Sequence, residues 1–201
     1  MLTRIGGRFG LVRERDAGFY DDVYRTAPRY HTGYDQSVYL PVWQQLVNRI
    51  PPESKILEIG CGPGQLAELL YDRGIRQYLG LDISDVAVNA ARERVPAFEF
   101  DVADARTDPR VQDRWYDVAV CTEVFEHVRD DLNLLERVRP GARVLATVPS
   151  FWTTGHLRWF KNSNAAAVRY GKKLAHLEVV EARGAEPAPH LFFQLDGVRP
   201  R

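Results

Sequence analysis

Short apolar runs alternate with amphipathic stretches through the middle of the chain. Lys55-Ile56-Leu57-Glu58-Ile59 has the composition of a strand, and Leu66, Ala67, Leu69 and Leu70 beyond Gln65 keep helical spacing until Gly74 stops them. Tyr78-Leu79-Gly80-Leu81-Asp82 predicts a second strand. Ser84 is placed to cap a helix through Val86, Ala87, Ala90 and Ala91 to Arg94. Ala97 to Asp101 predicts a third strand and Tyr116 to Cys121 a fourth. The fourth is nearly all apolar beyond Asp117, as a strand covered on both faces should be. A helix over Asp131 to Val138, a turn at Arg139-Pro140-Gly141 and a fifth strand over Arg143 to Val148 complete the series. Strands alternating with helices predict an α/β fold with a parallel, doubly wound sheet and right-handed crossovers.

The flanks follow other patterns. Residues 1–15 carry Arg4, Arg8, Arg13 and Arg15 among glycines without a sustained period, which predicts a flexible basic arm. From Asp16 to Tyr39 tyrosines are dense. Phe19, Tyr20, Asp22 and Tyr24 fall in a short predicted helix, Tyr30 to Tyr34 in a loop, and Val38 to Ile50 in a second helix ended by Pro51-Pro52. After residue 150 come an aromatic insertion (Trp152, His156, Leu157, Trp159, Phe160), a helix over Asn164 to Leu174, and strand-like runs at Leu177 to Glu181 and His190 to Val198. The short link between those two runs predicts a hairpin, so the last strand should run antiparallel. The expected organisation is the arm (1–15) and one domain (16–201). That domain divides into a helical cap (16–52), a core (53–150) and an insertion with its hairpin (151–201).

The first strand breaks into Gly60-Cys61-Gly62-Pro63-Gly64 before a helix opens at Gln65. A strand that turns through glycines into a helix N-terminus brings bare backbone N–H groups close to a ligand. Asp82, at the end of the second strand, stands where nucleotide-binding βαβ units place an acid on the ribose hydroxyls. The loop reads Glu-x-Gly-x-Gly-x-Gly from Glu58, not the Gly-x-Gly-x-x-Gly of dinucleotide enzymes, and this disfavours a nicotinamide oxidoreductase. It resembles motif I of the class I S-adenosylmethionine (SAM) dependent methyltransferases, and the likeness extends over roughly residues 40–150. The resemblance implies a Rossmann-like sheet of seven strands, mostly parallel with an antiparallel last strand, helices on both faces and an N-terminal helical cap. It implies SAM as cofactor and S-adenosylhomocysteine as product. By motif position, Glu58, Gly60, Cys61, Gly62 and Gly64 would serve the amino-acid end, Asp82 the ribose, Ile83, Asp104 and Ala105 the adenine, and Cys121 and Thr122 the methionine moiety.

The acceptor side is read from Glu123, Glu126 and His127, which share a face if the turn after Glu123 is helical, with His156 downstream. Glu123 or His127 could take a hydroxyl proton. Alternatively Glu123, Glu126, His127 and His156 could hold a divalent metal, a pattern resembling small-RNA 2′-O-methyltransferases. Glu-x-x-Glu-His also resembles the segment in metal-free small-molecule enzymes, the quinone-ring O-methyltransferases among them, and a purely structural bracing role stays open. Tyr24, Tyr30, Tyr34, Trp152 and His156 are the candidate acceptor contacts.

Charge narrows the choice of partner. Lys plus Arg total 27 and Asp plus Glu total 27, so no global field draws nucleic acid or an anionic membrane. A small acceptor methylated at oxygen is the expected reaction. The alternatives are a metal-dependent RNA ribose methyltransferase using a basic stripe (Arg4 to Arg15, Arg158, Lys161, Arg169, Lys172, Lys173), or a SAM-binding protein without turnover. No run approaches the ~20 apolar residues of a membrane span. Two cysteines fit a reducing compartment, and the cytoplasm is the expected location.

Overall fold

The computed structural model describes residues 13–187 and 190–201, and the backbone of two short strands before them. Those strands, β1 (Thr3–Ile5) and β2 (Arg8–Gly10), pair antiparallel within the expected arm. The arm's expected mobility, and the side chains of Arg4 and Arg8, lie outside the described residues.

The core strands are β3 (Lys55–Ile59), β4 (Gln77–Asp82), β5 (Glu99–Val102), β6 (Val118–Thr122), β7 (Arg143–Pro149), β8 (Ala175–Arg183) and β9 (Leu191–Val198). They form one seven-stranded sheet in the order β5-β4-β3-β6-β7-β9-β8. The pairs β3/β4, β4/β5, β3/β6 and β6/β7 are parallel, while β9 runs antiparallel to both β7 and β8. The expected sheet, with its antiparallel last strand, is the one found. Chain order reverses between β3 and β6, and their carboxyl ends open the crevice where such sheets bind ligands.

Helices α1 (Ala17–Thr26), α2 (Leu40–Val47), α3 (Gln65–Asp72), α4 (Asp85–Arg94), α5 (Asp131–Arg137) and α6 (Ser163–Tyr170) surround the sheet. Strand alternation sends Leu57 and Ile59 into one core with Leu134, Leu135 and Tyr170. Ile56 goes into the other with Trp43, Leu66, Leu70, Val88 and Phe98. Ser84 caps α4 as expected, its hydroxyl accepting from Ala87 N–H at 3.1 Å.

Several boundaries move for local reasons. The helix expected over Val38 to Ile50 is regular only over Leu40–Val47, because its last turn tightens before Pro51, with Arg49 and Ile50 amides donating three residues back. The helix expected to reach Leu174 stops at Tyr170, where Gly171 caps it, and β8 begins at Ala175, two residues before the expected Leu177. The third strand begins at Glu99, not Ala97, because a turn from Val95 carbonyl to Phe98 N–H occupies its start.

Asp131 ties the insertion to this frame. It is 1% exposed at the start of α5 and accepts from Arg169 Nε (2.8 Å) and Nη2 (2.5 Å) and from the Tyr170 hydroxyl (3.0 Å), with Arg158 at 3.5 Å. Removing one partner of such a cluster strands the remaining buried charge. Asp131→Ala should therefore lower unfolding free energy by about 3 kcal/mol, measured by urea denaturation.

Candidate functional site

The glycine loop is tied to the end of β4 by backbone. Gly60 and Cys61 N–H both donate to the Leu81 carbonyl (2.7 and 3.1 Å), and Gly62 N–H donates to Asp82 Oδ2 at 2.9 Å. Gly60 has φ +74°, and a Cβ there would sit 2.3 Å from Val124 Cγ2, so no side chain fits. The other Asp82 oxygen accepts from Ser84 N–H at 2.9 Å, so one carboxylate spans the loop and the start of α4. Burial pushes the Asp82 carboxyl above its ordinary value, and these amides oppose the push.

Glu58 lies under the loop, 1% exposed, and accepts from the Tyr78 hydroxyl at 2.5 Å. Burial raises its carboxyl to about 8, against the opposing effect of that hydrogen bond. Asp104 is gripped by the Arg106 fork (Nε at 2.9 and 3.0 Å, Nη2 at 2.6 Å), which holds it below the usual carboxylate range. Arg106 also donates to Glu14 Oε1 at 2.6 Å, and Glu14 Oε2 accepts from Arg129 N–H at 3.2 Å. The segment before α1 is thus latched beside the same end of the crevice. Asp21 of α1 accepts from the Ser84 hydroxyl at 2.6 Å and holds the helix there as well.

At the other end, β6 runs into Glu123, a non-glycine residue with φ +56°. Glu126 is fully buried, and neither carboxylate oxygen has a hydrogen-bond partner among the described residues. Glu123 and Glu126 face one another, and burial raises both carboxyls, Glu126 further through the neighbouring charge. His127 Nδ1 lies 3.2 Å from the Gly155 carbonyl, and His156 Nδ1 lies 3.1 Å from that of Phe151. A carbonyl can only accept, so each Nδ1 carries the proton and each Nε2 keeps a lone pair. Burial, and secondarily His156, lower His127 to about 4. The potential ligand atoms of Glu126, His127 and His156 all lie within 4.8 Å of one another. Every free atom in this cluster is an acceptor, so it calls for a proton or a cation.

A cavity of about 300 Å³ joins the two ends. Among the expected cofactor residues its wall includes Glu58, Gly60, Cys61, Gly62, Asp82, Ile83, Asp104, Ala105 and Thr122. Of the expected acceptor-side residues it includes Tyr24, Tyr30, Glu123, His127 and His156. Others stand outside it. Gly64 is the N-cap of α3, packed under Ala91, and Cys121 is buried behind the wall. Glu126 lies one layer deeper than His127. Two expected acceptor contacts are misplaced: Tyr34 donates to Asp72 on the outer surface at 2.8 Å, and Trp152 is 41% exposed. In their place the wall has Tyr20, Tyr39, Trp43 and Phe151, together with Arg29. Arg29 forms no ion pair among the described residues and lies over the Tyr30 ring, 4.6 Å from its centroid. Its backbone carbonyl accepts from Gln65 Nε2 at 3.1 Å, which ties residue 29 to the glycine-loop helix. Aromatic density alone does not tell which ring faces inward. The lone Arg29 between Pro28 and Tyr30 carries no sequence signal.

Comparison with known proteins gives a consistent picture. A family model described as a methyltransferase domain matches residues 33–184. The ubiquinone biosynthesis O-methyltransferase of Acinetobacter baylyi is 33% identical over 99 residues, 45% of this chain and 41% of that protein. The trans-aconitate 2-methyltransferase of Afipia carboxidovorans is 31% identical over 150 residues, 73% of this chain and 56% of that protein. The chain thus spans about half the length of these curated relatives. Magnesium protoporphyrin IX methyltransferase from Synechocystis PCC 6803, solved with bound SAM, superposes with a TM-score of 0.65 at 15% identity. That match covers 94% of this chain and all of the other.

Glu58 generates a prediction about pH. Its folded carboxyl keeps a proton that the unfolded chain loses above the ordinary value of 4.5, so stability falls as pH rises from there to about 8. Glu58→Gln keeps an acceptor for Tyr78 and removes that loss. Thermal unfolding should show the variant near wild type at about pH 5 and increasingly more stable towards about pH 8.

Proposed function

Since the chain belongs to the methyltransferase domain family, we propose that it transfers a methyl group from SAM to an oxygen of a small-molecule acceptor. The observation that carries this reading is the single cavity between the glycine loop and the Glu123–His127 end. The residues present fit the cofactor. The loop offers backbone at a position where a Cβ on Gly62 would meet the Tyr24 hydroxyl at 3.3 Å. Asp82 has lone pairs left after its two amide bonds. When bound, SAM supplies an activated methyl on a sulfonium, and S-adenosylhomocysteine leaves.

The chain's own residues then have distinct tasks. The Gly60–Gly62 backbone and the Arg29 guanidinium hold the amino-acid end, the latter as a fixed cation for its carboxylate. Asp82 accepts from the ribose hydroxyls, and Ile83 and Ala105 pack on the adenine. Asp104 keeps its second lone pairs for the adenine amino group while Arg106 fixes its orientation. Tyr20, Tyr24, Tyr30, Tyr39, Trp43 and Phe151 enclose the acceptor and exclude water. Glu123 takes the acceptor's proton as the methyl arrives, and His127 Nε2, neutral at working pH, accepts a further hydrogen bond from the acceptor. The name of the A. baylyi relative supports oxygen as the methylated atom. A small acceptor is favoured over RNA because three members of the basic stripe are already paired within the chain. Arg158 donates to the Phe125, Val128 and Arg129 carbonyls, Arg169 to Asp131 and Lys173 to Glu136.

A second reading rests on the cluster of Glu126, His127 and His156. Two unpartnered carboxylate oxygens and two imidazole lone pairs suit a divalent cation that would bind acceptor hydroxyls. Glu123 lies outside that compact set.

Calorimetric titration with S-adenosylhomocysteine tests the cofactor site. Wild type should bind, and Asp82→Ala should bind at least ~10-fold more weakly, from the loss of a charged hydrogen-bond acceptor. A folded wild type that does not bind would sink the assignment. A panel of phenols, amines and carboxylic acids, assayed with isotopically labelled methyl donor, should give turnover with a hydroxylated compound. That turnover should survive EDTA. Chelator-sensitive turnover restored by Mg²⁺ or Mn²⁺ and lost in His156→Ala would move the assignment to the second reading.

A further inference from the structure

Thr147 is the one polar side chain in the apolar run from Val144 to Val148, and it is 1% exposed. A hydroxyl buried mid-strand, where valine would satisfy the sheet, needs a partner. It has two, both on Glu123. Thr147 Oγ1 accepts from Glu123 N–H at 3.1 Å, and its own proton goes to Glu123 Oε1 at 2.9 Å. The regular β6–β7 ladder ends one residue earlier, at Thr122 opposite Thr147, and the bond from Glu123 N–H to the Thr147 carbonyl is long at 3.4 Å. One side chain therefore closes both ends of one residue, and that residue is held at φ +56°, a conformation L residues rarely adopt.

We propose that Thr147 is a positioning residue that holds Glu123 in its left-handed conformation, with its carboxylate turned to the acceptor end of the cavity. This rests on the reading of Glu123 as proton acceptor. The left-handed turn lifts the chain off β6 so that Glu123 lines the cavity while Phe125 and Glu126 pass beneath it. Without the hydroxyl, Glu123 loses the one side chain that bonds its amide and its carboxylate together, and its N–H keeps only the long ladder bond. The backbone would then relax towards an extended conformation and carry the carboxylate away. The ionisable groups around Glu123 are Glu126 on the same turn, Cys121 on β6 and Tyr39 at the start of α2, with His127 and His156 beyond Glu126. Among the described residues, only Thr147 supplies a hydrogen bond to both its amide and its carboxylate.

The test compares Thr147→Val, which keeps shape and removes the hydroxyl, with Thr147→Ser, which keeps the hydroxyl. In the S-adenosylhomocysteine complex, Glu123 amide exchange and its Cα and Cβ NMR shifts report its backbone without any acceptor. Thr147→Val should lose amide protection and the left-handed shift signature, and Thr147→Ser should keep both. With the acceptor found by the panel, Thr147→Val should lower kcat by about 10- to 100-fold, while S-adenosylhomocysteine affinity stays within about twofold. Thr147→Ser should restore kcat. A Thr147→Val protein with wild-type Glu123 spectra overturns the proposal. So does one whose kcat, cofactor affinity and melting temperature fall together without serine rescue. Wild-type turnover in Glu123→Gln overturns the proton-acceptor reading instead, and the acceptor-free spectra keep the two failures apart.

Discussion

The carboxylate of Asp82 holds two pieces of backbone at once. By accepting from Gly62 and Ser84 it joins the end of β4, the glycine loop and the first turn of α4. The Leu81 carbonyl adds two further ties to the same loop. A loop with positive φ at Gly60, Gly62 and Gly64 has little stiffness of its own, and these bonds supply it. The crevice at the chain reversal between β3 and β6 keeps its shape because that small network is buried and largely satisfied.

The two ends of the crevice have opposite electrostatic characters. At the β4 end, carboxylates are paired with donors: Asp82 with amides, Asp104 with Arg106, Glu58 with Tyr78. At the β6 end, Glu126 and two neutral imidazoles face each other, and among the described residues no side chain donates to the Glu126 oxygens. A site with a surplus of acceptors is suited to receiving a proton or a cation. Such a site is costly to keep buried, and the surrounding frame has to hold it in place. Asp131, with Arg158, Arg169 and Tyr170, anchors the frame on the side of the insertion that carries Gly155 and His156.

Much of this architecture is legible in the sequence, for reasons that can be stated. Features carried by local spacing are visible: the strand periods, the Glu58-to-Gly64 loop, Asp82 at the end of the second strand and the Ser84 cap. Features that depend on register between distant strands are not. Thr147 opposite Thr122 is a product of β6–β7 alignment, and nothing near Thr147 in the chain announces it. Aromatic residues are ambiguous in another way, since a tyrosine serves a surface contact or a cavity wall equally well. Tyr34 took the first role and Tyr39 the second. Helix ends shifted where prolines and glycines tightened the last turn, which periodicity does not register.

The position of β9 bears on how the protein is made. Strand β7 pairs on one side with β6 and on the other with β9, whose residues come after those of β8 in the chain. During synthesis the first five sheet strands can assemble in order as they emerge, because each docks beside one already present. Strand β7 then waits with an open edge until residues 191–198 have been made and inserted between it and β8. The half of the crevice carried by β3 and β4 can form early, whereas the half backed by β7 is secured only once β9 has been made. A nascent chain in which β9 has yet to emerge would be able to shape one end of its crevice before the other.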